Sequence, residues 1–179
     1  ENDIMIAVKS GRAIRFPESK VRPMGRTASG VRGIWMEEND EAVGMVCVEP
    51  TNANILVVSE NGYGKRSAIE DYRITNRGGK GVKTINMTEK TGELIAIIDV
   101  NDEDNLMIIN RSGLTIRLNV ADLRVMGRNT QGVRLINLKN DDAIAAVAKV
   151  SAAKDDDEES STVEENLEES NDNVDKTVE

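Results

Sequence analysis

Histidine is missing from all 179 residues, and cysteine occurs once, as Cys47. Without a histidine and with a single thiol, a Cys/His zinc site, a disulfide framework and a Ser-His or Cys-His nucleophilic pair are all excluded. Cys47 sits inside the apolar run Val43 to Val48. It reads as a small buried hydrophobe, and a lone unpaired thiol fits a reducing, intracellular compartment. Aromatic side chains are limited to Phe16, Trp35, Tyr63 and Tyr72, too few for the stacking platforms on which single-stranded nucleic acid is bound. No apolar run approaches membrane-spanning length and no signal peptide opens the chain, so no membrane partner is expected. A phosphate-binding Walker loop is also missing, and Asp102 to Asp104 and Asp155 to Asp157 lack the alternating spacing and glycine of a calcium loop. Catalytic and metal-ligating residues are therefore not expected, nor any cofactor. The chain opens at Glu1, almost directly on a strand pattern, and reads as a piece of something longer.

Charge is present in quantity but unevenly placed. Residues 1–150 hold 21 Lys and Arg against 20 Asp and Glu, whereas residues 151–179 hold 2 against 12. The formal net charge of −9 therefore belongs to the tail. That tail has almost no large apolar residues and cannot offset its ordering entropy by burial, so disorder is expected for 151–179. Its charge is opposite to that of the basic segments before it. One reading folds it back over them as a mimic of a nucleic acid that tunes binding; the other makes it a solubilising extension.

The ordered part is a repeat. A shift of 51 residues aligns the chain with itself as far as Asp142: Gly11, Gly62 and Gly113 superpose, as do Arg15, Arg66 and Arg117, and then Gly30, Gly81 and Gly132. Within each unit the pattern is β. Ile4 to Val8 and Arg12 to Phe16 are short runs joined at Ser10-Gly11, and the copies turn at Asn61-Gly62 and Ser112-Gly113. Two further strands are expected at Val31 to Met36 and Ala42 to Val48, separated by an acidic turn. Four strands in 51 residues match a propeller blade. The expected fold is all-β: three four-stranded blades, 1–51, 52–102 and 103–150, of a larger propeller-like disc, followed by the acidic tail 151–179.

Each unit carries the same basic loop. Arg73 to Lys83 reads R-I-T-N-R-G-G-K-G-V-K, and Arg22 to Arg32 and Arg124 to Arg134 repeat its frame of Arg, Arg four later, Gly four later, Val and a final cation. Residues 9–32 hold seven cations and one acid, whereas 33–59 and 84–110 each carry a net −5. In a radial repeat these loops fall at one radius, so the basic windows are expected to join into an arc. Arginine forks supply charge and two-pronged phosphate contacts, and glycine lets backbone N–H groups approach an anion. Duplex DNA is the expected partner, held through its backbone with little sequence preference. The candidate contacts are Arg22, Arg26, Arg32, Arg73, Arg77, Lys80, Lys83, Arg124, Arg128 and Arg134. Arg15, Arg66 and Arg117 admit either a salt-bridging or a contact role. Gly30, Gly81 and Gly132 serve a tight turn, an anion approach, or both. Tyr72 replaces Val21 and Leu123 of the other units and reads as core.

The repeated R-x-x-x-R-x-x-x-G-V-[RK] frame and the stretch V-R-P-M-G-R-T-A-S-G-V-R resemble the C-terminal domain of the gyrase A protein of the DNA gyrase family, with its topoisomerase IV counterpart a close relative. The resemblance covers residues 1–150. It implies a β-pinwheel of about six blades, with strands exchanged between them, whose basic rim wraps duplex DNA for a holoenzyme that introduces negative supercoils. It further implies a heterotetramer of two A-type and two B-type polypeptides (A2B2), ATP and Mg²⁺ used elsewhere in that assembly, and a bacterial cytoplasmic, nucleoid-associated location. The family's wrapping motif, Gln-Arg-Arg-Gly-Gly-Lys-Gly, has a degenerate counterpart in Thr75-Asn76-Arg77-Gly78-Gly79-Lys80-Gly81. Two readings compete with the gyrase one: the corresponding C-terminal domain of topoisomerase IV, and a propeller whose rim meets acidic proteins.

Overall fold

Alternation of apolar residues with short turn pairs produces eleven strands and three single 3₁₀ turns among the described residues of the computed structural model, which are 2–49, 54–139 and 142–150. The expectations for residues 151–179 lie outside these. The first unit contributes β1 (Asp3–Val8), β2 (Arg12–Pro17) and β3 (Ala42–Val48); the second β4 (Asn54–Ser59), β5 (Tyr63–Ala68), β6 (Val82–Lys83) and β7 (Leu94–Val100). The third contributes β8 (Asn105–Asn110), β9 (Thr115–Asn119), β10 (Val133–Arg134) and β11 (Ile144–Val150). All named pairings are antiparallel.

The sheets run β3-β1-β2-β6, β10-β5-β4-β7 and β11-β8-β9. Sheets and sequence units are therefore out of phase by one strand: β6 of the second unit completes the first sheet, and β10 of the third completes the second. The pairing is Arg12 with Lys83 and Ala13 with Val82 in one case, and Gly64 with Val133 and Tyr63 with Arg134 in the other. This corrects the expected strand Val31 to Met36. No strand lies between β2 and β3, because the segment's counterparts become strands only by joining the preceding unit's second strand, and the first unit has no such neighbour in this sequence. For the same reason the third sheet has three strands among the described residues.

The core lies between sheets. In β4, Ile55 and Val57 face a cluster with Met5, Ala7, Tyr72 and Ile85, while Leu56 and Val58 face one with Leu106, Ile108, Val120 and Ile136. Both faces of the strand are covered, which is why it reads as an unbroken apolar run. Each such side chain contributes about 1.5–3 kcal/mol on burial. Tyr72 is core as expected, its hydroxyl 2.5 Å from the Thr84 hydroxyl. Cys47 is not: it is exposed on β3. That strand is the last of its sheet and packs against β7 through only some of its residues, so an apolar run did not imply burial of every member.

Each hairpin tip is tied to the acidic turn that follows the basic loop. Asp40 accepts from the Ser10 amide and hydroxyl, Asp142 accepts from the Ser112 hydroxyl at 2.8 Å, and the Asn61 side-chain amide donates to Glu89 O and Lys90 O. The hydroxyl of Ser112 holds the Asp142 carboxyl below its ordinary pKa. Acidic turns thus gather at the hairpin end of the sheets.

Among the described residues one lysine is internal. Lys65, on β5, is 1% exposed and donates to Gly127 O at 2.7 Å, and burial lowers its pKa from 10.5 to about 8. The native amine thus loses its proton near pH 8 and the unfolded one near 10.5, so unfolding takes up a proton in that window and stability rises with pH there. The melting temperature is expected to increase from about pH 8 to about 9.5, and Lys65→Met to flatten that rise. Thermal melts of both proteins across the range check this; an equal slope in the variant would contradict it.

Candidate nucleic-acid interface

The basic loops occupy the outer edge because of where the chain must travel. Each leaves the far end of a second strand through a 3₁₀ turn, Glu18–Lys20, Ile69–Asp71 or Val120–Asp122. In the second and third units it then runs along the sheet edge to reach β6 or β10, the strand that it adds to the preceding unit. The opposite edge strands β3, β7 and β11 pack on one another instead, so the loops are held on the side away from that junction. Arg22, Arg26, Arg32, Arg73, Lys80, Lys83, Arg124 and Arg134 are exposed there, and Arg77 and Arg128 are half-buried.

Neighbouring loops touch. Gly78 donates its amide to Gly33 O at 2.6 Å, Trp35 to Gly79 O at 2.9 Å, and Asn86 to Thr130 O at 3.0 Å. The three basic windows are thereby joined, loop to loop, into one row. The Arg77 guanidinium links loops directly, with Nε donating to Lys20 O at 3.0 Å and Nη1 to Arg32 O at 3.1 Å. Arg128 repeats this on the next unit, to Asp71 O and Lys83 O at 3.0 Å each. Two residues chosen from sequence as phosphate contacts thus also bracket the preceding loop. Arg26, the same position in the first unit, has no hydrogen bond of this kind among the described residues.

The Thr75 to Gly81 stretch is largely engaged through its backbone. Lys80 O and Gly81 O accept from the Arg12 guanidinium, both at 2.9 Å. The ammonium of Lys80 lies 4.5 Å over the Trp35 ring. Gly81 has φ 66° and Gly132 φ 81°, and a Cβ on either would come within 2.4 Å of the preceding unit's backbone, at Ala13 O and Gly64 O. These glycines therefore serve both a left-handed turn and a close strand approach. Arg134 donates to the Tyr63 hydroxyl at 2.8 Å, and this bond lowers the tyrosine's pKa.

Arg15 and Arg66 are internal. Arg15 Nε bonds Asp3 at 2.6 Å and its Nη1 donates to Ile69 O and Tyr72 O of the next unit; Arg66 pairs with Asp102. Arg117 is exposed, with no ion pair among the described residues. Sequence reasoning missed Arg12, which caps the Lys80–Gly81 carbonyls, because Tyr63 and Leu114 replace it in the other units. It also missed the buried state of Lys65, whose counterparts are Ile14 and Ile116. That break in the pattern, an amine at an apolar position, was the available signal.

A family model described as the DNA gyrase C-terminal domain, beta-propeller, matches residues 2–49, 53–101 and 104–151. The chain belongs to this family. The DNA gyrase A protein of Staphylococcus aureus strain MRSA252 is 49% identical over 156 residues, which are 87% of this chain and 18% of that protein. The chain thus spans less than a fifth of the length of this relative. A solved C-terminal domain of DNA topoisomerase IV superposes with a TM-score of 0.79 at 22% identity, over 84% of this chain and 47% of that one. A solved DNA gyrase A C-terminal domain gives 0.76 at 27% identity, over 83% and 50%. The all-β propeller reading holds, and three gyrase-type repeats are matched one by one.

In the second and third of these gyrase-type units, then, the two arginines of the frame differ in surroundings: among the described residues Arg73 and Arg124 carry no side-chain hydrogen bond, whereas Arg77 and Arg128 are bonded to the unit before. Arg77→Ala and Arg128→Ala are each expected to lower stability by about 1–3 kcal/mol, the range for losing hydrogen bonds from a charged donor. Arg73→Ala and Arg124→Ala, which carry no such bonds among the described residues, are expected to change it by less than about 0.5 kcal/mol. Urea unfolding of the four variants compares the two classes.

Proposed function

We propose that this chain is a DNA-wrapping module of a type IIA topoisomerase, the C-terminal part of a gyrase A protein, and that it leads duplex DNA along its row of basic loops. The observation that carries the reading is the loop-to-loop hydrogen bonding that joins three repeats of the R-x-x-x-R-x-x-x-G-V-[RK] frame into one continuous cationic edge. Exposed Arg22, Arg32, Arg73, Lys80, Lys83, Arg124 and Arg134 are the phosphate contacts. Arg26, Arg77 and Arg128 stand between them; in the latter two, two guanidinium N–H groups are directed at backbone carbonyls and the rest remain for DNA. Binding is led by charge and by the bendability of the duplex, since the edge offers no helix for the major groove.

Strand cleavage and ATP hydrolysis belong to other parts of the parent enzyme, an ATP-dependent isomerase, where ATP and Mg²⁺ act. No group of three or more His, Cys, Asp or Glu suited to a metal occurs among the described residues. The wider partners of this reading are the remainder of the gyrase A protein and the gyrase B protein in the A2B2 assembly. The location of this reading is the bacterial cytoplasm at the nucleoid. Among the described residues no helix is long and apolar enough to cross a membrane.

The topoisomerase IV reading is favoured by one observation, its slightly higher fold likeness of TM-score 0.79. The 49% identity to a gyrase A protein and the Gly78-Gly79-Lys80-Gly81 run weigh the other way. Salt titration of duplex binding tests the contacts: log affinity is expected to fall linearly with log salt, and Arg73→Ala and Arg124→Ala each to lessen the slope by about 0.9. Unchanged slopes would remove these residues from the interface. Ligating nicked circles with the parent domain bound separates the two enzymes. A positive linking-number shift supports gyrase, and bending without handed writhe supports topoisomerase IV.

A further inference from the structure

Each basic loop presents, beside its first arginine, an apolar side chain that the fold leaves outside. The 51-residue shift superposes Pro23, Ile74 and Val125, which follow Arg22, Arg73 and Arg124. All three are exposed, Ile74 by 57% and Val125 by 49%. Single exposed apolar residues are ordinary on a protein surface. Here, however, the same loop position is apolar in every unit, and the stretches Arg73 to Arg77 and Arg124 to Arg128 hold no acid. The second unit has a unit on either side of it, joined through the Gly78 amide to Gly33 O and the Asn86 amide to Thr130 O. Neither neighbour covers Ile74.

The backbone at this position is fixed while the side chain is left out. Ile74 bridges to Arg15 of the preceding unit, and Val125 to Arg66. The next residue completes each anchor, the Thr75 amide donating to Arg15 O at 2.9 Å and the Met126 amide to Arg66 O at 2.8 Å. The Thr75 hydroxyl adds a bond to Arg15 O at 3.2 Å. Three residues further on, Arg77 is bonded to Lys20 O and Arg32 O. A backbone held in this way presents its side chain with little further loss of conformational entropy on binding.

A surface that covers Ile74 must be anionic on both sides of it, at Arg73 and Arg77, and apolar between. The minor groove of duplex DNA has that form, a cleft about 6 Å wide between two phosphate rows, floored by sugars and base edges. It admits a single aliphatic side chain, and side chains of this kind enter between base steps, unstack them and bend the duplex toward the major groove. We infer that Ile74 is such a wedge: it enters the minor groove between the phosphates held by its flanking cations and opens a base step there. Val125 repeats the contact one unit further along the row. The wedge presupposes the DNA-wrapping reading, and it assigns to named side chains a bend that charge alone leaves to the flexibility of the duplex. Pyrimidine–purine steps, the easiest to unstack, are then the preferred points of contact.

The test uses the 179-residue chain and a duplex carrying 2-aminopurine, whose emission rises on unstacking, at several TpA steps, with a pair of energy-transfer dyes at its ends. Binding is expected to raise the emission and shorten the end-to-end distance. Ile74→Ala is expected to cut both signals and to weaken binding about three- to tenfold, with the salt slope unchanged. Arg73→Ala, one residue away, is expected to lessen that slope instead. Ile74→Met keeps a long apolar chain and is expected to restore both signals, and urea midpoints equal to that of the parent sequence show the variants to be folded. An Ile74→Ala protein that bends and unstacks the duplex as the parent sequence does would overturn the wedge and leave the cationic row standing. A urea midpoint that falls together with affinity would also overturn it, because the side chain would then be part of the packing. Duplex binding that is absent at low salt would remove the DNA reading, and the wedge with it.

Discussion

Each sequence unit completes the sheet of the unit before it, and most of the molecule follows from that handover. Val82–Lys83 and Val133–Arg134 are two-residue strands, too short to be stable on their own. They hold because a glycine brings the backbone within reach, a guanidinium brackets the preceding loop, and an apolar cluster closes between the sheets. Tyr72, Thr84 and Ile85 are fully buried where the second unit docks on the first. Folding of one unit is thus coupled to the presence of its neighbour, as in other repeat proteins.

The same constraint arranges the charge. A loop that must cross from the end of one strand to the outer side of another unit's sheet is held at the edge, and its cations with it. The acidic turns stay with the hairpin tips, tied there by Ser10, Ser112 and Asn61. An anionic polymer therefore meets cations along the edge and acids at the hairpin end, which favours a path along the row. The second arginine of the frame serves this polarity structurally as well, since its bonds to the preceding loop's carbonyls fix the spacing between successive patches.

Much of this was legible in the residues. The period of 51, the hairpin pairs at Ser10-Gly11 and its copies, the basic frame and the core role of Tyr72 each arise from local pattern repeated in register. What was not legible shares one cause: it depends on a partner that is distant in sequence. Val31 to Met36 carries the same strand pattern as its counterparts, but a strand exists only when another supplies its hydrogen bonds. Cys47 sits in an apolar run, yet the run lies on an edge strand, where the sheet covers only part of it. Arg77 and Arg73 are chemically alike in the loop, and only the approach of Lys20 O and Arg32 O distinguishes them.

The β character, the 51-residue period, the family and the sign of charge at each point of the repeat could be read from the residues alone, because these depend on side-chain type and spacing along one chain. Which unit owns each outer strand, the joining of the basic loops into one row, the inward turn of Arg15 and Arg66 while Arg117 stays out, and the burial of Lys65 with its lowered pKa came only from the tertiary structure. Those outcomes depend on which backbone carbonyl or apolar surface a neighbouring unit brings within a few ångströms. In a repeat that trades strands, identical sequence positions acquire different environments according to whether a neighbour is there.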